Sequence, residues 1–216
     1  MSPLQWDVRV ARSPEPEAHA IVLATRALDA GDRGDAEQRY REVQRQGLLH
    51  PASWSNLAAL GIGLGDADGA RAHAQRALQL DRGSADAWVN FGVASWLLQQ
   101  QRDAAQAMHQ ALALVPGLEA AALNYARMQQ AIGRGEQALA VLRSASAHAP
   151  DSRRLALARA EQARLLTRHD EVRESAFHAL RRLASTIDPA LPGRSGLRAA
   201  VEADVDCVLH AVCTEL

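Results

Sequence analysis

Apolar and small residues recur along most of this chain with a period of 34 residues. The clearest unit spans 51–84, where two amphipathic stretches are separated by Gly65 and Asp66, a glycine typical of a helix end and a carboxylate typical of a helix start. Its other landmarks are Trp54, Leu57, Ala58, Ala70, Ala74, Ala77 and Leu78. The pattern predicts two antiparallel helices per unit, repeated in register.

The same roles return one period later and again one period earlier. The equivalents in the next unit are Trp88, Phe91, Gly92, Ala104, Ala111 and Leu112. This pattern resembles the tetratricopeptide repeat. It has a large residue at the start, small residues on the facing sides of the two helices, a turn glycine and a closing proline. The resemblance covers 17–152 and implies an all-α, right-handed solenoid of antiparallel helix pairs.

The period divides the chain into consecutive segments. We predict an extended N-terminal arm over 1–16, four regular repeats over 17–50, 51–84, 85–118 and 119–152, a degraded fifth repeat over 153–186, a linker over 187–196 and an amphipathic C-terminal helix over 197–216. In the third repeat Gln99 stands where the others carry the turn glycine, which predicts a less tightly specified turn. Small residues such as Ala104 are expected where paired helices approach closely.

The two ends of the chain each leave alternatives open. Trp6, Val8 and Val10 would share one side of an extended segment. That segment is either a disordered leader or an arm that docks on the solenoid or on a neighbouring copy. The C-terminal helix is either folded back on the fifth repeat, a dimerisation helix or the first helix of a further domain.

Composition narrows the possible partners and location. The 216 residues carry a formal net charge of -1, so no large field of one sign favours nucleic acid. No apolar run approaches the ~20 residues of a membrane span, and none at the N-terminus resembles a signal peptide. Cys207 and Cys213 are interpreted as reduced thiols. We therefore expect a cytoplasmic protein, and the use of Arg without Lys suggests a bacterial, GC-rich genome.

Chemistry-bearing motifs are not found in the sequence. It contains no glycine-rich phosphate loop, no nucleophile elbow and no HExxH pair. Cys207, His210 and Cys213 share part of a predicted helical face, but their spacing is not a standard zinc pattern. Asp66, Asp68 and Asp170 are interpreted as helix caps. The prediction is a protein that is not an enzyme and binds no cofactor or metal.

A ladder of asparagines is the strongest candidate site. Asn56, Asn90 and Asn124 occupy the same position of three successive repeats, and the resemblance implies that this position faces the concave surface. An amide there can pair with both C=O and N–H of an extended peptide, similar to the ladder of the O-linked N-acetylglucosamine transferase solenoid. The alternative is that these residues support packing between repeats.

Mostly apolar residues surround the predicted ladder. The resemblance places Ile62, Val89, Val93, Trp96 and Arg127 on the same surface. Trp96 is the best candidate for a binding hot spot, unless the arm or the C-terminal helix covers it. Val89 and Leu123 stand where chaperone-tail clamps require polar or basic side chains, so an acidic tail is not the expected ligand.

Together these features predict a scaffold, adaptor or assembly chaperone that binds an extended, mostly uncharged polypeptide segment in its groove. The alternative is a non-catalytic, substrate-recruiting module of a larger enzyme. A third possibility is self-association through the N-terminal arm or the C-terminal helix. The expected partner is another protein or peptide, with no nucleic acid and no membrane span.

Overall fold

Nine helices make up the secondary structure of the described part of the chain. The computed structural model describes residues 6–9, 17–46 and 50–166. The helices are α1 Glu17–Asp29, α2 Arg33–Gln46, α3 Pro51–Leu64, α4 Ala67–Leu80, α5 Ala85–Leu97, α6 Gln101–Leu114, α7 Glu119–Ala131, α8 Gly135–His148 and α9 Arg153–Leu165. The odd-numbered helices begin 34 residues apart, as do the even-numbered ones from α2 to α8. The predicted period is therefore the period of the helices.

Consecutive helices pack against each other as pairs. Contacts within a repeat join α1 with α2, α3 with α4 and α5 with α6, and contacts between consecutive repeats join α4 with α5 and α8 with α9. Contacts also join α1 with α3 and α3 with α5, so the first helices of successive repeats are neighbours. The chain forms two compact units divided between Asn124 and Tyr125. The second helix of the fifth repeat, the linker and the C-terminal helix lie outside the described residues.

The turns within the helix pairs share one conformation. Gly31, Gly65 and Gly133 have φ angles of 82°, 79° and 75°. At α3 the N–H of Gly65 donates to the carbonyl of Ile62, and the N–H of Asp66 donates to the carbonyl of Gly61. Gln99 replaces the glycine after α5 and still adopts φ 63°, with the same two hydrogen bonds from Gln99 and Gln100. Glycine is favoured here because a Cβ is strained in the left-handed region.

Small residues bring the paired helices together, and large residues fill the space between repeats. Ala58, Ala70 and Ala104 are completely buried. A Cβ added at Gly92 of α5 would lie 3.1 Å from the Cβ of Ala107 on α6. Trp54 packs against the apolar clusters on both sides of it, one shared with α1 and α2 and the other with α4 and α5. The predicted cap Asp66 accepts a 2.9 Å hydrogen bond from the N–H of Gly69 at the start of α4.

Candidate peptide-binding groove

The three ladder asparagines lie on the first helices of successive repeats. Asn56 lies on α3, Asn90 on α5 and Asn124 on α7. Asn90 and Asn124 are completely buried, and Asn56 is 5% exposed. A buried amide without partners would cost free energy, so the partners of these side chains decide what the ladder does.

The chain's own N-terminal arm supplies partners for two of them. Oδ1 of Asn90 accepts a 2.9 Å hydrogen bond from the N–H of Arg9, and its Nδ2 donates a 2.9 Å bond to the carbonyl of Arg9. Asn124 makes the same pair with Asp7, at 3.1 Å and 2.9 Å. Alternate residues of an extended chain present their backbone groups to the same side. Residues 7–9 therefore run extended from Asn124 towards Asn90.

Asn90 also connects two repeats. Its Nδ2 donates to the carbonyl of Ser55 at 3.0 Å and to the hydroxyl of Ser55 at 3.1 Å. The sequence left two roles open for the ladder, binding of extended backbone and packing between repeats. The side chain of Asn90 has both roles. Substituting Asn90 by alanine would remove both kinds of contact, so this substitution does not isolate ligand binding. Residues 10–16 lie outside the described ranges, and the role of Asn56 stays a prediction.

Side chains of the arm add two further contacts with α5. The ring of Trp6 meets the ring of Trp96 edge to face, with centroids 6.3 Å apart and an interplanar angle of 63°. The indole of Trp96 is partly covered by the arm, which was one alternative for this residue. Nε of Arg9 lies 2.7 Å from Oδ1 of Asp86 in the first turn of α5. The arm is therefore held through both its backbone and its side chains.

Asp86 was not among the site residues predicted from the sequence. It stands at the second position of its repeat, in the first turn of the helix that also carries Val89 and Trp96. Its partner is an arginine 77 residues away, which the repeat pattern does not relate to this position. The ion pair became visible only once the arm was placed.

The remaining predicted site residues stay predictions. Val89 and Val93 are completely buried, and Ile62 on α3 is partly buried. Arg127 is partly buried and belongs to the second compact unit. In residues 6–9, 17–46 and 50–166 no group of three potential metal ligands is found. Cys207, His210, Cys213 and Asp170 lie outside these ranges.

A second polar cluster joins the first two repeats. The hydroxyl of Tyr40 donates a 3.0 Å hydrogen bond to Oδ2 of Asp66. Burial, reinforced by the charge of Asp66, raises the pKa of Tyr40. The ring of His73 lies 5.5 Å from that of Trp54 and 5.9 Å from that of Tyr40, and burial lowers the pKa of His73. These contacts connect α2, α3 and α4.

Paired helices repeated at a fixed interval define the class of α-solenoid repeat proteins. A family model described as tetratricopeptide repeat matches residues 97–161. This match over residues 97–161 confirms the resemblance to the tetratricopeptide repeat that the sequence indicated. No curated protein matches the chain.

Solved structures show the same fold. The thermophilic TPR protein TTC0263 from Thermus thermophilus is 17% identical, with 87% of this chain and 97% of that chain covered and a TM-score of 0.60. One crystal structure of MamA is 18% identical, covers 76% of this chain and 95% of its own, and has a TM-score of 0.59. Another is 17% identical, with 77% and 91% covered and a TM-score of 0.57.

The comparisons confirm the predicted fold class, an all-α solenoid. Tetratricopeptide solenoids serve in general as scaffolds for protein interaction, and that coarse assignment applies here. Within the described ranges no helix is long and apolar enough to cross a membrane.

Proposed function

We propose that the surface around Asn56, Asn90 and Asn124, all of which belong to the first compact unit, binds an extended, mostly uncharged segment of another protein through its backbone. The protein would act as an adaptor, scaffold or assembly chaperone in a bacterial cytoplasm, without catalytic activity or cofactor. One observation carries the proposal. Asn90 and Asn124 each pair with both the N–H and the C=O of an extended segment, the arm residues Arg9 and Asp7.

The geometry suits a ligand that is recognised by its backbone. Every residue except proline offers the N–H and C=O that the two amides use. These bonds therefore recognise an extended conformation and do not depend on the ligand's sequence. Each bond contributes about 0.5–1.5 kcal/mol. This is modest against the ~4–15 kcal/mol that association costs, so side-chain contacts have to supply the rest. The partly buried Ile62 and Trp96 are candidates for that part, whereas Val89 and Val93 are completely buried.

The arm itself competes with any such partner. It is tethered to α1, and a short tether gives an effective concentration in the millimolar range. A partner segment that uses the same amide groups must first displace residues 7–9. The affinity measured with the unaltered chain is therefore lower than the affinity of the empty groove, and an informative experiment needs a variant whose arm is released.

Proline substitution releases the arm without altering the solenoid. Proline lacks the N–H, so Asp7→Pro and Arg9→Pro together remove both donors to the ladder. Val8→Pro is the matched control, because the backbone of Val8 faces the opposite side of an extended segment. Neither variant changes a residue of the helices.

The test is affinity capture from an extract of the source cells, with a photo-crosslinker at the exposed Leu97 near the end of α5. We expect the released variant to capture and crosslink a protein that the Val8→Pro control captures less. Adding Asn124→Ala to the released variant should abolish the crosslink, after thermal melting has confirmed that this variant is folded. A crosslink that survives Asn124→Ala, or no capture by the released variant, would reject groove binding.

The alternative of a recruiting module within a larger enzyme rests on sequence alone. No observation in the described residues favours it.

A further inference from the structure

We infer that residues 6–9, Trp-Asp-Val-Arg, are a template of the groove's ligand. The partner segment would be extended, would run from Asn124 towards Asn90, and would present an aromatic ring followed three residues later by an arginine. This inference rests on the proposed function and adds the chemistry of the ligand to it. It is carried by the two side-chain contacts of the arm with α5.

The aromatic contact selects a flat ring at the first position. Trp96 is partly buried in the last turns of α5, and Trp6 meets it edge to face at 6.3 Å. Pairs of this geometry are stabilised beyond their buried area, because the positive edge of one ring meets the negative face of the other. An aliphatic side chain would fill the space but would lose this electrostatic part. Among interface residues, tryptophan and tyrosine are the most frequent hot spots.

The ionic contact selects a cation at the fourth position. The side chain of Asp86 is 25% exposed and accepts from Nε of Arg9 at 2.7 Å. The negative charge of an aspartate in the first turn of a helix also interacts favourably with the helix dipole. An acidic residue opposite Asp86 would be repelled, so this position discriminates between ligands. The ligand would therefore carry a positive charge at this position and be mostly uncharged elsewhere.

The spacing follows from the geometry of an extended chain. Asp86 and Trp96 lie near opposite ends of α5, about 15 Å apart along its axis at 1.5 Å per residue. Asn90 holds the arm backbone between them. Successive side chains of an extended segment point to opposite sides. Two side chains whose positions differ by an odd number of residues therefore point in opposite directions, here towards the two ends of α5. A spacing of three satisfies both contacts, whereas a spacing of two or four places both side chains on the same side.

The experiment measures fluorescence anisotropy of a labelled synthetic peptide with the sequence of residues 3–12. It is titrated with the full chain carrying Asp7→Pro and Arg9→Pro, and with the unaltered chain. Variant peptides carry Trp6→Ala, Arg9→Glu or one alanine inserted between positions 7 and 8. The Val8→Thr peptide is the matched control, since it keeps a β-branched residue at a position that neither contact uses.

We expect the released chain to bind the native peptide at least about tenfold more tightly than the unaltered chain, whose own arm competes for the groove. Trp6→Ala should weaken binding about tenfold. Arg9→Glu should weaken it roughly five- to tenfold at low salt, and this difference should fade near ~0.5 M salt because the pair is partly exposed. The peptide with the inserted alanine should lose one of the two side-chain contacts, either that with Trp96 or that with Asp86. The control should stay within about twofold.

A charge exchange tests the assignment of Asp86. The released chain with Asp86→Arg should prefer the Arg9→Glu peptide over the native one, which a merely structural role of Asp86 would not produce. A second released chain, with Trp6→Ser in place of the prolines, guards against a folding defect, and thermal melting is measured for each chain.

The remaining outcomes separate this inference from the proposed function. If all peptides bind equally and Asn124→Ala abolishes binding, the inference is overturned while binding through the backbone stands. If no peptide binds either released chain at millimolar concentration, both are overturned. Equal binding of the native peptide to the unaltered and released chains would place it outside the arm's site and would also overturn the inference.

Discussion

The side-chain amide of Asn124 is hydrogen-bonded to both the N–H and the C=O of Asp7, a residue 117 positions earlier in the chain. Asn90 repeats this arrangement with Arg9, one repeat earlier in the solenoid and two residues later in the arm. Later residues of the arm therefore meet earlier repeats of the solenoid. Between residues 7 and 9 the arm runs from α7 towards α5.

The first prediction concerns how the arm is held. Asp7→Pro removes the N–H that donates to Asn124, at a cost of about 0.5–1.5 kcal/mol. We expect the amide of Arg9 to exchange its hydrogen about 2- to 13-fold faster as the arm frays, as measured by NMR. Val8→Pro should leave the exchange of this amide unchanged. Similar acceleration by both substitutions would show that the arm is not held at alternate residues.

The second prediction concerns the turn after α5. Gln99 adopts φ 63°, a left-handed conformation that costs a residue with a Cβ about 1–2 kcal/mol. Gln99→Gly should raise the free energy of unfolding by about 0.5–1 kcal/mol, since part of the gain is offset by the greater backbone entropy of glycine in the unfolded chain.

The reciprocal substitution serves as its control. Gly65→Gln, at φ 79° in the preceding repeat, should lower the free energy of unfolding by about 1–2 kcal/mol. Both are measured by urea denaturation. A loss of stability in Gln99→Gly would mean that the glutamine side chain contributes more than its backbone strain costs.

The third prediction concerns the close approach of α5 and α6. A Cβ at Gly92 would lie 2.6 Å from Cε of Met108, 3.1 Å from the Cβ of Ala107 and 3.3 Å from the carbonyl oxygen of Ala104. The methionine can move, but the other two atoms are held by the helix. Gly92→Ala should therefore lower stability by about 1–3 kcal/mol through overpacking.

Gly63→Ala provides a control within the same protein. Gly63 is exposed on α3, and its added Cβ would meet only Cδ2 of Leu28, the end of a flexible side chain. Here the gain in helix propensity, up to about 1 kcal/mol, should dominate. Opposite signs for the two substitutions in thermal melting would support the packing argument, and equal signs would contradict it.

The fourth prediction concerns pH. Burial lowers the pKa of His73 below its ordinary value of 6.5, and the charge of Asp66 opposes this only in part. The folded protein then binds a proton less readily than the unfolded chain. The stability that neutral His73 contributes is fully present above pH 6.5 and is lost as the pH falls from there through the lowered pKa of His73.

Thermal midpoints between about pH 7.5 and 5.5 test this sign. The groups around His73 are Tyr40, Gln44, Trp54 and Asp66. Wild type should lose more stability on acidification than His73→Gln, which keeps a hydrogen-bonding side chain opposite Gln44. Equal losses would assign the pH dependence to other groups.

Much of the fold followed from local pattern. The turn glycine expected in every regular repeat except the third located three turns, and in the structure Gly31, Gly65 and Gly133 are all in the left-handed conformation. The sequence also led to the cap at Asp66 and to the family. It did not reveal that Gln99 would adopt the same turn, because the tertiary contacts of both flanking helices, and not the residue's own preference, determine that conformation.

The candidate site was predictable only in part. The ladder was visible as Asn56, Asn90 and Asn124, because equivalent positions of a repeat can be compared without a structure. Asp86 was missed, and the state of Trp96 was left open. Both depend on arm residues 77 or more positions away, which the repeat pattern does not relate to any helix.

The sequence by itself determined the paired helices and their period, since large, small and turn residues act over a few positions and repeat every 34 residues. Only the tertiary structure decided what meets the ladder. The arm has no repeat and no helical period, and its place is set by hydrogen bonds that span 81 and 117 positions. Such bonds depend on amides that distant helices present together, and a local sequence pattern does not describe that arrangement.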